Sequence, residues 1–169
     1  MSALEEFRRY KDRELQRDPY SPIPFEDRET FTGLHYYPEN EALNFVLTVE
    51  PFEQQDKIVM ATSTGHQAPF LRYGRIQFPV DGRQQILTVY QSIGQSEFFL
   101  PFTDATSGKE TYGAGRYLEL EPVGSDRYKV DFNLAYNPYC AYSDEWSCPI
   151  PPQENKLSIA IEAGEKNYK

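Results

Sequence analysis

A mainly β domain, an antiparallel barrel or two-layer sheet with one N-terminal helix packed outside, is the fold class this sequence predicts. Three observations carry it. Aromatic residues make up 15% of the chain, with 13 tyrosines and 11 phenylalanines, and such side chains suit half-buried pleated surfaces. Thirteen prolines and ten glycines supply frequent turns between short elements. From Thr30 to Phe102, β-branched and aromatic runs recur between turn signals. At 169 residues the chain reads as a single domain spanning 1–169, long enough to bury a core without staples.

Ser2, followed by Glu5 in capping-box position, starts a helix that runs to about Gln16 within residues 1–17. Leu4, Phe7, Lys11 and Leu15, supplemented by Tyr10, form its narrow stripe. Asp18-Pro19 stops the helix, because a residue before proline is pushed out of the α region, and 18–25 follows as an extended arm. So short a helix needs docking to be stable, which places it across the outside of a sheet.

Residues 30–102 carry the strand signals. Thr30–Tyr37, Leu43–Val49 and Lys57–Ser63 each read as a strand, and Thr64-Gly65-His66 as a turn. Ala68–Val80 reads as one long strand bent at Gly74. Asp81-Gly82 is a hairpin signal leading into Gln84–Gln91, and Glu97–Phe102 is a further short strand. Within 103–166 the character changes to motif-bearing loops and closing strands. Arg116–Leu120 and Tyr128–Asn133 pair around Gly124-Ser125-Asp126, and Leu157–Glu162 is expected to close the fold as a strand.

The formal charge of −9 and the pI of about 4.8 describe an acidic protein, which argues against a nucleic-acid partner. No apolar run approaches the length of a membrane span, and the charged start Ser2–Arg9 lacks the apolar core of an export signal. The expectation is a cytoplasmic protein whose two cysteines begin as thiols. Oligomeric state is not legible.

Two segments concentrate the residues of chemistry. Asp104–Arg116 is dense in Asp, Thr, Ser, Glu and Tyr, with glycines that permit close backbone approach. It equally suits a turn-rich connection whose side chains satisfy their own backbone. It is no phosphate-binding loop, since Gly113-Ala114-Gly115 and Ser107-Gly108-Lys109 lack the required glycine pattern. Ala135–Asn155 is long, rich in proline and aromatics, and without periodicity, which points to a functional loop. Cys140 and Cys148, separated by seven residues, fit buried thiols, a disulfide or two metal ligands. The metal reading fails on number, because only His35 and His66 remain and both are distant. No cofactor-binding pattern is present. Cys140 as a nucleophile needs a base that the sequence does not bring near, and Asp104, Glu110, Asp131 and Glu154 serve ion pairs as readily as acid–base work.

Four stretches in order, Thr106–Arg116, Asp131–Pro138, Cys148–Asn155 and Ile161–Lys166, resemble the bacterial and archaeal family numbered sixteen eighty-four among the domains of unknown function. Upstream the likeness thins to Asp27–Pro38. Tyr139 stands before Cys140 where that family commonly has a second proline. The resemblance implies a β-rich core in a compact form without the extra N-terminal β module of many relatives. It implies no activity, but it marks polar loop positions. On these, the loops Asp104–Arg116 and Tyr136–Asn155 are expected to close over one end of the barrel as a polar, aromatic-walled pocket. Arg116 would contact an anion or carboxylate. Tyr112, Tyr136 and Asn137 would be hydrogen-bonding walls, Asn133 and Asn155 further polar contacts, and Glu110 or Glu154 an acid or base. A module for a small, anionic organic ligand is the leading function. An enzyme of hydrolase or lyase type using a carboxylate or Cys140 is one alternative. A structural or partner-binding protein whose motif residues brace long loops is the other.

Overall fold

The capping box at Ser2 forms as the sequence requires. Its hydroxyl accepts from the Glu5 amide while the Glu5 carboxylate accepts from the Ser2 amide, starting helix α1 (Ala3–Arg17). The structure, a computed structural model, describes residues 1–169.

Eight antiparallel strands follow: β1 (Asn44–Thr48), β2 (Glu50–Pro51), β3 (Lys57–Ala61), β4 (Gln67–Val80), β5 (Arg83–Ser92), β6 (Phe98–Phe102), β7 (Arg116–Pro122) and β8 (Arg127–Asp131). Their order in the sheet is β1-β8-β7-β6-β5-β4-β2, with β3 on the outer part of β4. Only the buried Val49 separates β1 from β2, so the two ends of the path meet and the sheet is a nearly closed barrel. The seam depends on Gly74. The register of β4 against β5 shifts between Arg72 and Gly74, and a Cβ at Gly74 would lie 2.3 Å from the Glu50 carbonyl oxygen. At the β4–β5 hairpin, Asp81 and Gly82 take φ of 51° and 78°, the left-handed pair that a two-residue turn needs.

The inward-facing residues of this barrel form one core of 18 buried side chains. Phe132 stands at its centre, with Phe45, Phe78 and Phe102 rings 5.1–6.3 Å away. A satellite cluster of Leu15, Ile23, Leu34 and Tyr142 docks α1. Leu15 is the helix's one buried residue, so polar groups do much of the docking. Arg8 donates to the Tyr37 carbonyl at 2.9 Å, and Asp12 accepts from the Leu34 amide and the Tyr36 hydroxyl, both at 3.1 Å. Lys11 pairs with the Glu165 carboxylate.

Two expected strands are absent. Thr30–Tyr37 is irregular apart from one bridge between Tyr36 and Glu165. Gly33 at φ 122° breaks its extension, and side chains of α1 take backbone groups that a ladder would have used. Leu157–Glu162 is also no strand. It crosses the end of β6, with Leu157 N donating to Thr103 O at 2.8 Å and Ile161 N to the Asp104 carboxylate at 2.5 Å. A backbone satisfied partly by side chains builds no sheet. No helix is long and apolar enough to cross a membrane.

Candidate functional site

Arg116 opens β7 and is 0% exposed. Its Nη1 donates to Ala163 O at 2.5 Å and Glu165 O at 3.3 Å, and its Nη2 to Ile161 O at 2.9 Å and Asp104 Oδ2 at 3.5 Å. The guanidinium carbon lies 5.3 Å from the Phe102 ring centroid. Burial lowers the guanidinium pKa from its ordinary value, and Asp104 opposes that shift. Asp104 in turn accepts from the Thr106 hydroxyl at 2.8 Å. The expected anion contact is therefore corrected: Arg116 spends its fork on three carbonyls of the C-terminal segment and on a buried carboxylate, and faces no open cavity.

Two asparagines act in the same way. β5 and β6 pair only at Tyr90–Phe99 and Gln91–Phe98 and then part. Into the gap the buried Asn155 inserts its amide, accepting from Thr88 N at 2.8 Å and donating to Thr88 O and Pro101 O at 2.9 and 2.8 Å. It supplies the hydrogen bonds a neighbouring strand would have made. Asn133 does likewise for Asn40, accepting from its amide at 2.8 Å and donating to its carbonyl at 2.9 Å.

The remaining sequence-predicted residues part company. Glu110 is exposed beside a shallow basin with Leu34, His35, Lys166 and Asn167. Glu154 faces outward, paired with Arg72 at 3.0 Å and accepting from the Tyr90 hydroxyl. Burial raises its pKa, but hydrogen bonds from Arg72 and Tyr90 outweigh that and hold it below the ordinary value. Tyr112 donates to Cys140 Sγ at 3.5 Å. Both cysteines are free thiols, with Cys140 N donating to Cys148 Sγ at 3.3 Å. No group of three or more His, Cys, Asp or Glu side chains gathers at metal-binding range. The eight residues thus do not share one pocket over an end of the barrel.

Tyr136 and Asn137 do come together, in a groove between α1 and the barrel wall. A cavity of about 320 Å³ is lined by these two with Lys11, Leu15, Glu119, Tyr139 and Tyr142. Past Glu119 and Tyr136 it continues into a more apolar stretch of about 360 Å³ with Phe7, Leu118, Leu134 and Glu121. The Lys11 ammonium sits 5.1 Å from the Tyr136 ring centroid and pairs with Glu165. Glu165 is otherwise held by Asn137 N at 2.9 Å and the Tyr142 hydroxyl at 3.5 Å. The Tyr136 hydroxyl donates to the Glu119 carboxylate. Burial first, and then Glu119 or Glu165, push the Tyr136 and Tyr142 phenols well above their ordinary pKa, so both stay neutral donors. Lys11, Glu119, Tyr139 and Tyr142 were not among the sequence candidates. Lys11 carried a signal nonetheless: an ammonium within an otherwise apolar stripe needs a carboxylate on the surface it docks against. A wider cavity of about 620 Å³, lined by Tyr37, Glu39, Asn40, Asp81 and Glu162 among others, contains none of the candidates.

Residues 29–166 match the family model described as Protein of unknown function (DUF1684). A solution NMR structure of an uncharacterized protein from Haloarcula marismortui is 37% identical, with a TM-score of 0.75 over 96% of this chain and 91% of that one. No curated protein matches the chain.

Proposed function

The chain belongs to the DUF1684 family, and from the geometry of its groove we propose that it is a non-catalytic binding module for a small organic cation, such as an aryl or alkyl amine. One observation carries this reading. The groove already houses an ammonium, that of Lys11, between a tyrosine face and a carboxylate. The open stretch beside it offers the same chemistry again in Tyr139 and Glu119, with Glu121 further along. Cations over tyrosine faces gain about 0.5–1 kcal/mol at exposed sites and more when desolvated. Against the single ammonium of Lys11 stand Glu119, Glu121 and Glu165, so the local charge disfavours the anionic ligand expected from Arg116.

The enzyme alternative draws no support from the side chains. Glu110 and Glu154 serve different surfaces, and the neighbours of the Cys140 sulfur are a phenol and a second thiol. The bracing alternative accounts for Arg116, Asn133 and Asn155, and it coexists with binding in the groove.

The test is a titration of the intact protein with benzyltrimethylammonium and, separately, benzoate, followed by amide chemical shifts. The ammonium is expected to move Tyr136, Asn137 and Tyr139, and benzoate to leave them unchanged. Glu119→Gln and Tyr139→Ala should each weaken the ammonium about two- to fivefold. Equal response to benzoate, or shifts confined to the Glu39–Asp81 cavity, would overturn the proposal.

A further inference from the structure

The two thiols are unused by the groove, yet their placement is not that of packing cysteines alone. Cys148 is 8% exposed and pinned to the barrel: its amide donates to the Ser63 hydroxyl at 3.1 Å and its carbonyl accepts from Ser63 N at 3.0 Å. The next residue bridges Thr62, and Ile150 N donates to Ala61 O at 2.8 Å, so this segment is fixed to the end of β3. Cys140 lies in a 3-10 turn, Tyr139–Ala141, flanked by the groove residues Tyr139 and Tyr142. It is half-buried and so reachable from solvent. Its amide donates to Cys148 Sγ, 3.3 Å away, so the second sulfur lies against the backbone of the first cysteine. On its other side the Tyr112 hydroxyl donates to Cys140 Sγ at 3.5 Å. The arrangement therefore pairs a half-buried cysteine whose sulfur has a hydroxyl donor with a second, sheltered sulfur held against its backbone amide.

We propose that Cys140 and Cys148 are a peroxide-sensitive dithiol that closes reversibly to an intramolecular disulfide. Cys140 is the attacking sulfur. Its sulfur, which accepts from the Tyr112 hydroxyl, attacks one oxygen of a hydroperoxide as the thiolate. The O–O bond breaks, Cys140 becomes a sulfenic acid, and the leaving oxide takes up the proton that the thiol released. The Cys148 sulfur then attacks the Cys140 sulfur, the S–O bond breaks, and the hydroxyl leaves as water with the Cys148 proton. The two thiols lose two electrons to one peroxide, and with hydrogen peroxide two waters form. Burial pushes the Cys148 thiol up to about 11, which suits the sheltered partner and not the first nucleophile. Closure ties the turn between Tyr139 and Tyr142 to the anchored segment at β3, so the groove wall is stiffer in the oxidised protein. This inference is independent of the ligand proposed for the groove.

The experiment uses the intact reduced protein, treated with stoichiometric hydrogen peroxide, unfolded without reductant, alkylated and weighed by mass spectrometry. The expected product is a monomer lighter by two hydrogens that takes up no alkyl group, and dithiothreitol restores both sites. Its Tm should rise by about 5 °C, as expected for closing a short loop. Cys148→Ser should stop at a sulfenic acid on Cys140 that dimedone traps. Tyr112→Phe should slow closure several-fold and leave the product the same. Two alkylatable thiols after peroxide, or a cross-linked dimer in place of the monomer, would overturn the proposal. Closure at the wild-type rate in Tyr112→Phe would overturn the role given to that hydroxyl. The mass of the unmutated protein decides the main point even if a variant fails to fold.

Discussion

The Arg116 brace and the α1 groove are built from the same kinds of residue and do opposite things with them. In the brace, a guanidinium and two carboxamides give most of the hydrogen bonds they make to backbone: three carbonyls for Arg116, three backbone groups for Asn155, and the amide and carbonyl of Asn40 for Asn133. In the groove, Tyr136 is half-buried, Tyr139 is 46% exposed, and Glu119 keeps accessible surface beside an open cavity. Polar residue types in loops are therefore a poor guide to a binding site. What separates the two regions is whether a polar atom has been consumed by a backbone group that has no strand to pair with.

The largest effect that separates them is expected at Arg116. Arg116→Met leaves Asp104 buried without its cation and strips three carbonyls, and the cost should be about 3–5 kcal/mol in urea unfolding. A loss below about 1 kcal/mol would break the comparison at its strongest point. Asn155→Ala removes three hydrogen bonds at the parting of β5 and β6, and should cost about 2–3 kcal/mol by the same measurement. Lys11 joins the two regions, because its carboxylate partner Glu165 also lends its carbonyl to Arg116. Lys11→Met should cost about 2 kcal/mol, and adding Glu165→Gln should recover part of that by removing the stranded charge.

Smaller effects sharpen the contrast. Glu154 has its pKa held down in the folded chain by Arg72 and Tyr90, so its stabilisation is present above the ordinary carboxylate range and is lost as pH falls through the depressed folded value. Because the pair is exposed, Glu154→Gln should flatten the acid limb of the stability profile by less than about 1 kcal/mol. Tyr139→Ala should change stability by about 0.5 kcal/mol or less, while still weakening an ammonium ligand. If its stability cost instead rivalled that of Asn155→Ala, the groove wall would belong to the brace.

Legibility followed range along the chain. The cap at Ser2, the hairpin at Asp81-Gly82, the bend at Gly74 and the strands from Asn44 to Phe102 other than the two-residue Glu50–Pro51 are readable, because each depends on neighbours within a few residues. Thr30–Tyr37 and Leu157–Glu162 had the composition of strands but lacked free strands to pair with. Their partners are side chains of α1, Asp104 and Arg116, remote in sequence. Among the candidate residues, type and motif point to Tyr136, which lines the groove half-exposed, and equally to Arg116, Asn137 and Asn155, which are buried and bonded to backbone carbonyls. Lys11 is not legible as a groove residue because its role depends on Glu165, 154 positions away.

By itself, then, the sequence determined a mainly β, acidic domain with a capped helix at its start and its polar motifs between Phe102 and Lys166. Those properties are local or additive, and composition, turn chemistry and capping are enough to specify them. Only the tertiary structure decided which motif residues are braces and which line a groove. That choice depends on whether a carbonyl or amide from a distant segment arrives within hydrogen-bonding distance, and long-range closure of the barrel is what brings it there.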